Sequence, residues 1–359
     1  MRLRLSSGVL ALLLCAFTIV LTNCSSSPSK GGETGATTQL IGAGSTFVYP
    51  LMSRWIADYQ QTHQGVQINY QSIGSGGGIQ QLKKGLVDFG ASDKALDDEE
   101  LKDMPPLVQV PETAGPVCIT YNLPQLKEPL KLSAKTLSGI YLGTIKNWQD
   151  LEIKRENPGV NLPKQNIVVV HRSDGSGTSN IFTTYLDAVN PEWKSKVGKG
   201  LSVAWPLGVG GKGNEGVTGL VKQNPGAVGY VELAYALENH LPVVDMENKA
   251  GKFIAPSAAA VSAAIDAYSG ELQKDVRTPI VDPPASAADA YPISGLTFLL
   301  VPTTPKDMDK GAKTKAFIEY VITDGQAVTD QLHYSRLPES MVKIDQGLLD
   351  KIQLTGQSH

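Results

Sequence analysis

The sequence predicts an α/β protein whose sheets contain parallel strands. Short apolar stretches with the two-residue alternation of strands are followed repeatedly by stretches with the spacing of amphipathic helices. That order favours parallel strands connected through helices. The chain has 359 residues, a length that suggests two domains. The composition, 41% hydrophobic and 19% charged, is typical of globular proteins and excludes intrinsic disorder.

The N-terminus carries the pattern of an export signal. Arg2 and Arg4 precede an apolar run at 9–21, which is short for a membrane span and has the length of a signal-peptide core. Residues 1–23 are therefore predicted to be a signal peptide. Cys24 follows in a context that resembles a bacterial lipobox, so lipid attachment to Cys24 is expected, with plain secretion as the alternative.

Residues 24–38 are rich in Ser, Gly and Thr and predict a flexible tether. Cys15 lies in the signal peptide and Cys118 would be the one cysteine of the folded body, so no intramolecular disulfide is expected. The formal net charge is −3 and no Lys/Arg block stands out. A nucleic-acid partner is therefore disfavoured, because the phosphate backbone needs a basic footprint.

The remaining chain is interpreted as alternating strands and helices. Strands are predicted at 40–41, 66–70, 87–91, 167–170, 227–231 and 297–301. Helices are predicted from 46 onward and at 79–86, 178–189, 214–223, 257–268, 311–323 and 325–333. The glycine-rich stretch 208–216 is interpreted as a loop, since no clear strand precedes it.

Three loops, at 42–46, 74–78 and 174–178, share one composition. Each is rich in Gly, carries Ser or Thr, follows a predicted strand and opens a predicted helix. Gly allows close approach of a ligand, and the free N–H groups of a helix N-terminus can hold an anion. Arg172 precedes the third loop. The alternative for any one loop is ordinary helix capping, but three such loops at strand ends can form one cleft.

Motifs of other function classes are absent from the sequence. It contains no P-loop, no G-x-S-x-G and no H-E-x-x-H, and its three scattered Cys do not make a zinc site. No metal or cofactor is therefore expected. His171 could serve as a base for Ser176, but a structural histidine at a strand end is favoured.

Six blocks of the sequence resemble the phosphate-binding proteins of bacterial ABC phosphate importers, the PstS family. They are IGAGSTF at 41–47, YQSIGSGGG at 70–78, VDFGASD at 87–93, HRSDGSGTSNIF at 171–182, KGNEGV at 212–217 and GAVGYVELAYA at 226–236. The resemblance implies a two-lobed periplasmic-binding-protein fold of type II. Such a fold has central mixed sheets flanked by helices, a ligand cleft between the lobes and two crossover segments.

The resemblance also implies how the chain is divided. Crossings between the lobes are expected near 111–116 and 286–294, where prolines cluster. Lobe I would combine 39–113 with 292–359, and lobe II would comprise 114–291.

The resemblance assigns phosphate contacts residue by residue. They are Thr46, Phe47, Ser75, Asp93, Arg172, Ser176, Gly177 and Thr178. Asp174 is expected to pair with Arg172. Ser45 stands where Ala is common, and Lys94 stands beside Asp93 where a small residue is usual; we expect Lys94 to face solvent.

The expected function is high-affinity capture of inorganic phosphate outside the cytoplasm and delivery to an ABC-type import permease. The protein would be a lipid-anchored, periplasmic monomer without enzymatic activity. The Asp93 carboxylate can only accept a hydrogen bond, which phosphate can donate and sulfate cannot. Two alternatives stay open: a receptor for another tetrahedral oxyanion, such as arsenate or sulfate, and a phosphoester hydrolase, which would need a nucleophile with its base or two metals.

Overall fold

The computed structural model describes residues 37–354. The predicted signal peptide at 1–23 and the predicted lipidation site Cys24 lie outside the described residues. The first strand begins at Thr38, so the prediction that the tether extends to 38 is wrong at its end. Within 37–354, no helix combines the length and the apolar character that crossing a membrane requires.

Eleven strands are formed within the described part of the chain. They are β1 Thr38–Gly44, β2 Val66–Ser72, β3 Phe89–Ser92, β4 Leu107–Tyr121, β5 Lys131–Leu132, β6 Val168–Arg172, β7 Val209–Gly211, β8 Ala227–Glu232, β9 Asp245–Glu247, β10 Phe253–Ile254 and β11 Ser294–Pro302.

Helices connect these strands. They are α1 Tyr49–Thr62, α2 Ser75–Lys83, α3 Asp98–Leu101, α4 Ala134–Leu142, α5 Leu151–Glu156, α6 Gly177–Val189, α7 Pro191–Lys196, α8 Gly213–Gln223, α9 Leu233–Glu238, α10 Ala258–Ala267, α11 Ser269–Leu272, α12 Met308–Ile322 and α13 Glu339–Leu349.

Eight strands form one mixed sheet in the order β2-β1-β3-β11-β4-β8-β6-β7. The β1 strand pairs in parallel with β2 and β3, and β6 pairs in parallel with β7 and β8. The long strand β4 connects the two groups, since its first part pairs with β11 and its last five residues pair with β8, both antiparallel. Strands β5, β9 and β10 form a small separate sheet.

Aromatic side chains fill the core on both sides of β4. On the β1 side, Tyr59 and Phe89 pack around Phe317 of α12 with ring centroids 5.2 and 5.9 Å away. On the β6 side, Phe182 stacks on Tyr230 at 4.3 Å. Large buried rings supply most of the apolar area that stabilises such a core.

The α/β prediction is confirmed, and the predicted strands correspond to observed ones. The helix predicted at 325–333 is wrong, since this segment forms two short 3₁₀ turns at Asp324–Val328 and Asp330–Leu332. The loop predicted at 208–216 is also wrong, because it contains β7 and the start of α8. Helix α13 and the long strand β4 were not predicted.

Candidate functional site

Four connections of the same kind converge at the edge where two oppositely directed groups of parallel strands in the large sheet face each other. Three were predicted as glycine-rich loops, and they connect β1 to α1, β2 to α2 and β6 to α6. The fourth connects β7 to α8 through Lys212. The predicted loop 74–78 is shorter than expected, because α2 begins at Ser75. Strands β1, β2 and β3 run in the opposite direction to β6, β7 and β8, because three antiparallel pairings, β3–β11, β11–β4 and β4–β8, separate the two groups. The carboxyl ends of the two groups therefore face each other along β4, which explains why these connections meet.

Asp93 lies at the centre of this edge, directly after β3. It is buried, and its carboxylate accepts hydrogen bonds from Ser45 Oγ and, at 3.3 Å, from Thr178 Oγ1. The Asp93 backbone N–H donates to Ser75 Oγ at 3.2 Å. Burial raises the pKa of Asp93 to about 6, although Ser45, Arg172 and Thr178 act to lower it. At neutral pH the carboxylate is therefore mostly ionised and acts as an acceptor.

Arg172, the last residue of β6, brings the positive charge of the site. Its Nε and Nη2 atoms donate to the two Asp174 carboxylate oxygens at 2.8 and 2.6 Å, and Nη1 donates to Thr178 Oγ1 at 3.4 Å. Burial alone would raise the pKa of Asp174, but the hydrogen bonds and charge of Arg172 outweigh burial and lower it. Two parallel hydrogen bonds fix the plane of the guanidinium.

Asn214 belongs to the same cluster, and the sequence analysis did not identify it. Its Nδ2 donates to Thr46 Oγ1 at 2.7 Å and to Thr178 Oγ1 at 3.2 Å, while its Oδ1 accepts from the Glu232 N–H at 3.0 Å. Asn214 is fully buried. The signal was present in the stretch 208–216, which is rich in Gly like the three identified loops, although it carries neither Ser nor Thr.

The other predicted residues surround Asp93 and Arg172 as helix starts. Ser176 caps α6, with its Oγ accepting from the Ser179 N–H at 2.9 Å. Gly177 and Thr178 are the first residues of α6 and Ser75 is the first of α2, so their N–H groups have no intrahelical acceptor.

Phe47 precedes α1, and its backbone oxygen accepts from the Tyr334 hydroxyl at 2.7 Å. All ten predicted site residues other than Cys24 therefore lie at this edge or pair with a residue there.

Residues from the two sides of β4 touch directly across the site. The Gly76 N–H donates to the Gly175 oxygen at 2.9 Å, and the Tyr235 hydroxyl donates to the Thr46 oxygen at 2.6 Å. A Cβ on Gly177 would stand 2.5 Å from Ser75 Oγ. The cleft is therefore closed, and a glycine at 177 is required because the two sides approach each other so closely there.

The sequence places this architecture among known proteins. Residues 31–325 match the family described as a PBP superfamily domain. The chain is 44% identical to the phosphate-binding protein PstS of Xylella fastidiosa strain Temecula1 over 326 residues, which cover 90% of this chain and 88% of that protein. It is 38% identical to PstS of Methanocaldococcus jannaschii over 96% of this chain and 95% of that protein. The chain belongs to the PstS family.

Solved structures show the same fold as this PstS-family chain. The high-affinity periplasmic phosphate-binding protein PfluDING, solved with bound phosphate, superposes with a TM-score of 0.71 at 23% identity, covering 86% of this chain and 93% of that one. A phosphate-binding protein from Stenotrophomonas maltophilia superposes with a TM-score of 0.66 at 20% identity, with the same coverage. The periplasmic-binding-protein fold is thereby confirmed.

Two positions depart from the PstS pattern on which the resemblance rested. Ser45 directs its hydroxyl to Asp93 and is fully buried. Lys94 forms an ion pair with Glu100, with its side chain 21% exposed, and the Asp93 carboxylate receives no hydrogen bond from it.

His171 has a structural role at the end of β6: its ring stacks on Trp205 at 4.9 Å, and its Nδ1 lies 3.0 Å from the Arg172 backbone oxygen.

Proposed function

We propose that this closed cleft binds inorganic phosphate and releases it unchanged to an ABC-type import permease. The proposed contacts are Thr46, Phe47, Ser75, Asp93, Arg172, Ser176, Gly177 and Thr178, with Asp174 and Ser45 holding Arg172 and Asp93 in place. Relatives that are named phosphate-binding proteins and share up to 44% identity support the proposal.

One observation carries the ligand assignment: the buried Asp93 carboxylate is surrounded by groups that donate. Ser45 and Thr178 hydroxyls, the Arg172 guanidinium and the free N–H groups of two helices all provide hydrogens. A ligand for such a site must accept many hydrogen bonds and donate one. Protonated phosphate does both, whereas sulfate would place an unprotonated oxygen against a carboxylate. Arsenate has the same protonation pattern and is the second candidate ligand.

The charges within the cleft suit a small anion. Arg172 is balanced by Asp174, so attraction must come from the N–H dipoles of α2 and α6 together with the guanidinium. Helix N-termini in a dehydrated cleft stabilise an anion without a second cation. The formal net charge of −3 does not oppose this, because salt screens charges beyond the contact range.

A hydrolase finds no support in the same residues. The Ser176 hydroxyl accepts the Ser179 N–H as a helix cap, and the ring of His171 is stacked on Trp205. A nucleophile needs a base within hydrogen-bonding distance. A hydrolase without such a base would need a metal site, and within residues 37–354 no three His, Cys, Asp or Glu side chains are placed to hold a metal ion. Capture without covalent chemistry is therefore the function that we propose.

We further propose two lobes, with 39–113 and 292–359 on one side of the cleft and 114–291 on the other. The antiparallel strands β4 and β11 are where the chain passes between them, and hinge closure over the ligand follows from that arrangement. We propose that the protein works as a monomer at the outer face of the cell membrane, anchored through lipid on Cys24.

Calorimetric titration of the purified protein with phosphate, and separately with sulfate, tests the ligand assignment. We expect tight phosphate binding and rejection of sulfate by about 10⁴-fold, the order found for sites that require a donor from the ligand. In Asp93→Asn the carboxylate is replaced by an amide that can donate to sulfate. We expect weaker phosphate binding and a smaller ratio between the two anions.

Asp88→Asn is the matched control, because Asp88 lies directly before β3 and Asp93 lies directly after it. The Asp88 carboxylate accepts from the Ile41 N–H and pairs with Lys310, so this variant should bind both anions like the wild type. Equal binding of phosphate and sulfate by the wild type would contradict the proposed selectivity.

A further inference from the structure

Glu112 occupies a β-bulge in the strand that connects the two sides of the cleft. Thr297 of β11 lies opposite Thr113 of β4, and the next residue, Phe298, lies opposite Pro111. Glu112 is therefore the additional residue on β4 and has no partner in the register. Bulges redirect a side chain and are frequent beside functional sites.

The Glu112 side chain is fully buried, and only one of its two oxygens has a partner. Oε1 and Thr297 Oγ1 form a hydrogen bond of 3.1 Å, in which either group can donate when the carboxyl carries a proton, whereas Oε2 is enclosed without any hydrogen bond from the described residues. The ion pairs found within 37–354 do not include Glu112. The ionised form of a buried carboxyl group is strongly disfavoured when one oxygen lacks a hydrogen-bond partner and no cation is nearby. The protonated form of Glu112 is therefore the stable one.

Thr297 connects Glu112 to Asp93. The antiparallel pairing of Phe298 with Ser92, continued by one residue, places Thr297 beside Asp93. Thr297 is hydrogen-bonded to Glu112, and its hydroxyl lowers the pKa of Asp93. A hydroxyl has one hydrogen and can donate to only one of two carboxylates. If Glu112 keeps its proton and donates it to Thr297 Oγ1, the Thr297 hydrogen is free for Asp93.

We propose that Glu112 is a positioning residue of the phosphate site: as a neutral carboxyl it donates to Thr297, which in turn donates to Asp93 and holds it as the ionised acceptor. The proposal rests on the proposed function. An ionised Glu112 would take the Thr297 hydrogen away from Asp93 and add a second uncompensated negative charge next to the incoming anion. Phosphate binding therefore requires the proton on Glu112.

The groups that face Glu112 agree with a neutral carboxyl. Burial raises the pKa of Glu112 to about 8; the Thr297 hydrogen bond lowers it and the Asp93 charge raises it. From β2, Tyr70 faces both carboxyls, and burial followed by the charges of Glu112 and Asp93 raises its pKa well above the usual value. Strand β11 carries no ionisable side chain, and the residues that α12 buries are uncharged.

The remaining neighbours of β4 leave Glu112 without a counter-charge. The Gln326 side chain donates to the Glu112 backbone oxygen at 2.9 Å. Helix α13 also packs against β4 and buries Asp345, whose pKa is raised to about 8 by burial alone. Asp345 therefore resembles Glu112 in burial and in pKa but is not coupled to the site.

The test measures phosphate affinity by calorimetry at pH values below and above the Glu112 pKa of about 8. Bound phosphate adds negative charge near Glu112 and raises its pKa further, so the complex holds a proton that the free protein has lost at high pH. By linkage, wild-type affinity falls above that pKa, by up to about tenfold per pH unit. Glu112→Gln keeps a neutral donor to Thr297. Its phosphate affinity should therefore match that of the wild type at lower pH and should not show this fall at higher pH.

Asp345→Asn is the control for loss of a buried carboxyl and should keep the wild-type pH profile of phosphate affinity. Proton uptake on binding, measured in buffers of different ionisation enthalpy, should be smaller in Glu112→Gln than in wild type above that pKa. Thr297→Val removes the connecting hydroxyl and should weaken phosphate binding several-fold at all of these pH values.

Identical pH profiles and proton uptake in wild type and Glu112→Gln would overturn the role of Glu112. Absence of phosphate binding by the wild type at every pH would instead refute the proposed function.

Discussion

The two sides of the cleft contribute different chemistry to one site. The side that contains β1, β2 and β3 supplies the acceptor Asp93 together with hydroxyls from Ser45 and Ser75. The side that contains β6 and β7 supplies the cation Arg172 and the amide of Asn214. The cation and the carboxylate to which we assign discrimination between anions are thus placed on separate strands.

The separation has a physical consequence for closure. Arg172 is fixed by Asp174 on its own side, so a ligand need not neutralise an exposed cation before the cleft closes. Asp93, by contrast, receives the Thr178 hydroxyl from the opposite side. Under the proposed function, rejection of the wrong anion therefore depends on a contact between the two sides, whereas the cation is held by a residue of its own side.

The largest expected effect comes from removing that cation. Arg172→Gln leaves Asp174 and Asp93 buried without a positive partner, and truncating one member of a buried charged pair costs about 2–5 kcal/mol. We expect phosphate affinity to fall by at least about thirtyfold. Calorimetric titration of the variant measures the change.

Arg54→Gln is the matched control, because Arg54 pairs with Asp58 at 2.7 Å on the surface and its side chain is 44% exposed. Such exposed pairs contribute little, so phosphate affinity should not change. Retention of wild-type affinity by Arg172→Gln would show that the helix N-termini alone hold the anion, and the proposed contribution of the Arg172 charge would be wrong.

A smaller effect is expected from separating the two sides. In Gly177→Ala the added Cβ would stand 2.5 Å from Ser75 Oγ and 2.6 Å from Asp93 Oδ2. Overpacking of this kind costs about 1–3 kcal/mol, which corresponds to a loss of phosphate affinity of roughly tenfold to a hundredfold. Small-angle scattering in excess phosphate should also show a more open molecule.

Gly270→Ala provides the comparison, since nothing lies within 4 Å of a Cβ added at Gly270. This variant should match wild type in both affinity and scattering profile. If Gly177→Ala binds phosphate normally, contact between the sides is not what completes the site.

Much of the fold and three of the loops at the site were predictable because their signals are local, whereas the individual contacts, Asp93 among them, were assigned only through the resemblance to the PstS family. A strand followed by glycines and a helix start is encoded within about ten residues, and three of the four converging connections were identified on that basis. Strand β4 was not foreseen, because Pro111 and Pro116 argue against a strand interior; it tolerates them beside a bulge and next to the antiparallel partner β11. The burial of Glu112 arises from that long-range pairing and leaves no local pattern.

The same reasoning explains why Asn214 was missed. Its strand, β7, has three residues, and Val209 in it is exposed, so no apolar alternation marks a strand before the glycines. The position of Asn214 follows from the pairing of β7 with β6, which residues far apart in sequence determine. A fourth glycine-rich stretch was therefore interpreted as an ordinary connection.

The smallest of the expected effects concerns this residue. Asn214→Ala leaves the Thr46 and Thr178 hydroxyls without its amide and the Glu232 N–H without an acceptor. Loss of buried hydrogen bonds costs about 1–2 kcal/mol, so phosphate affinity should fall by roughly fivefold to thirtyfold. Asn224→Ala, at the other end of α8, removes one hydrogen bond to Leu220 and should leave affinity unchanged. Equal affinities in the two variants would mean that the β7 connection only closes the cleft, and that the β6 side acts through Arg172 and the start of α6.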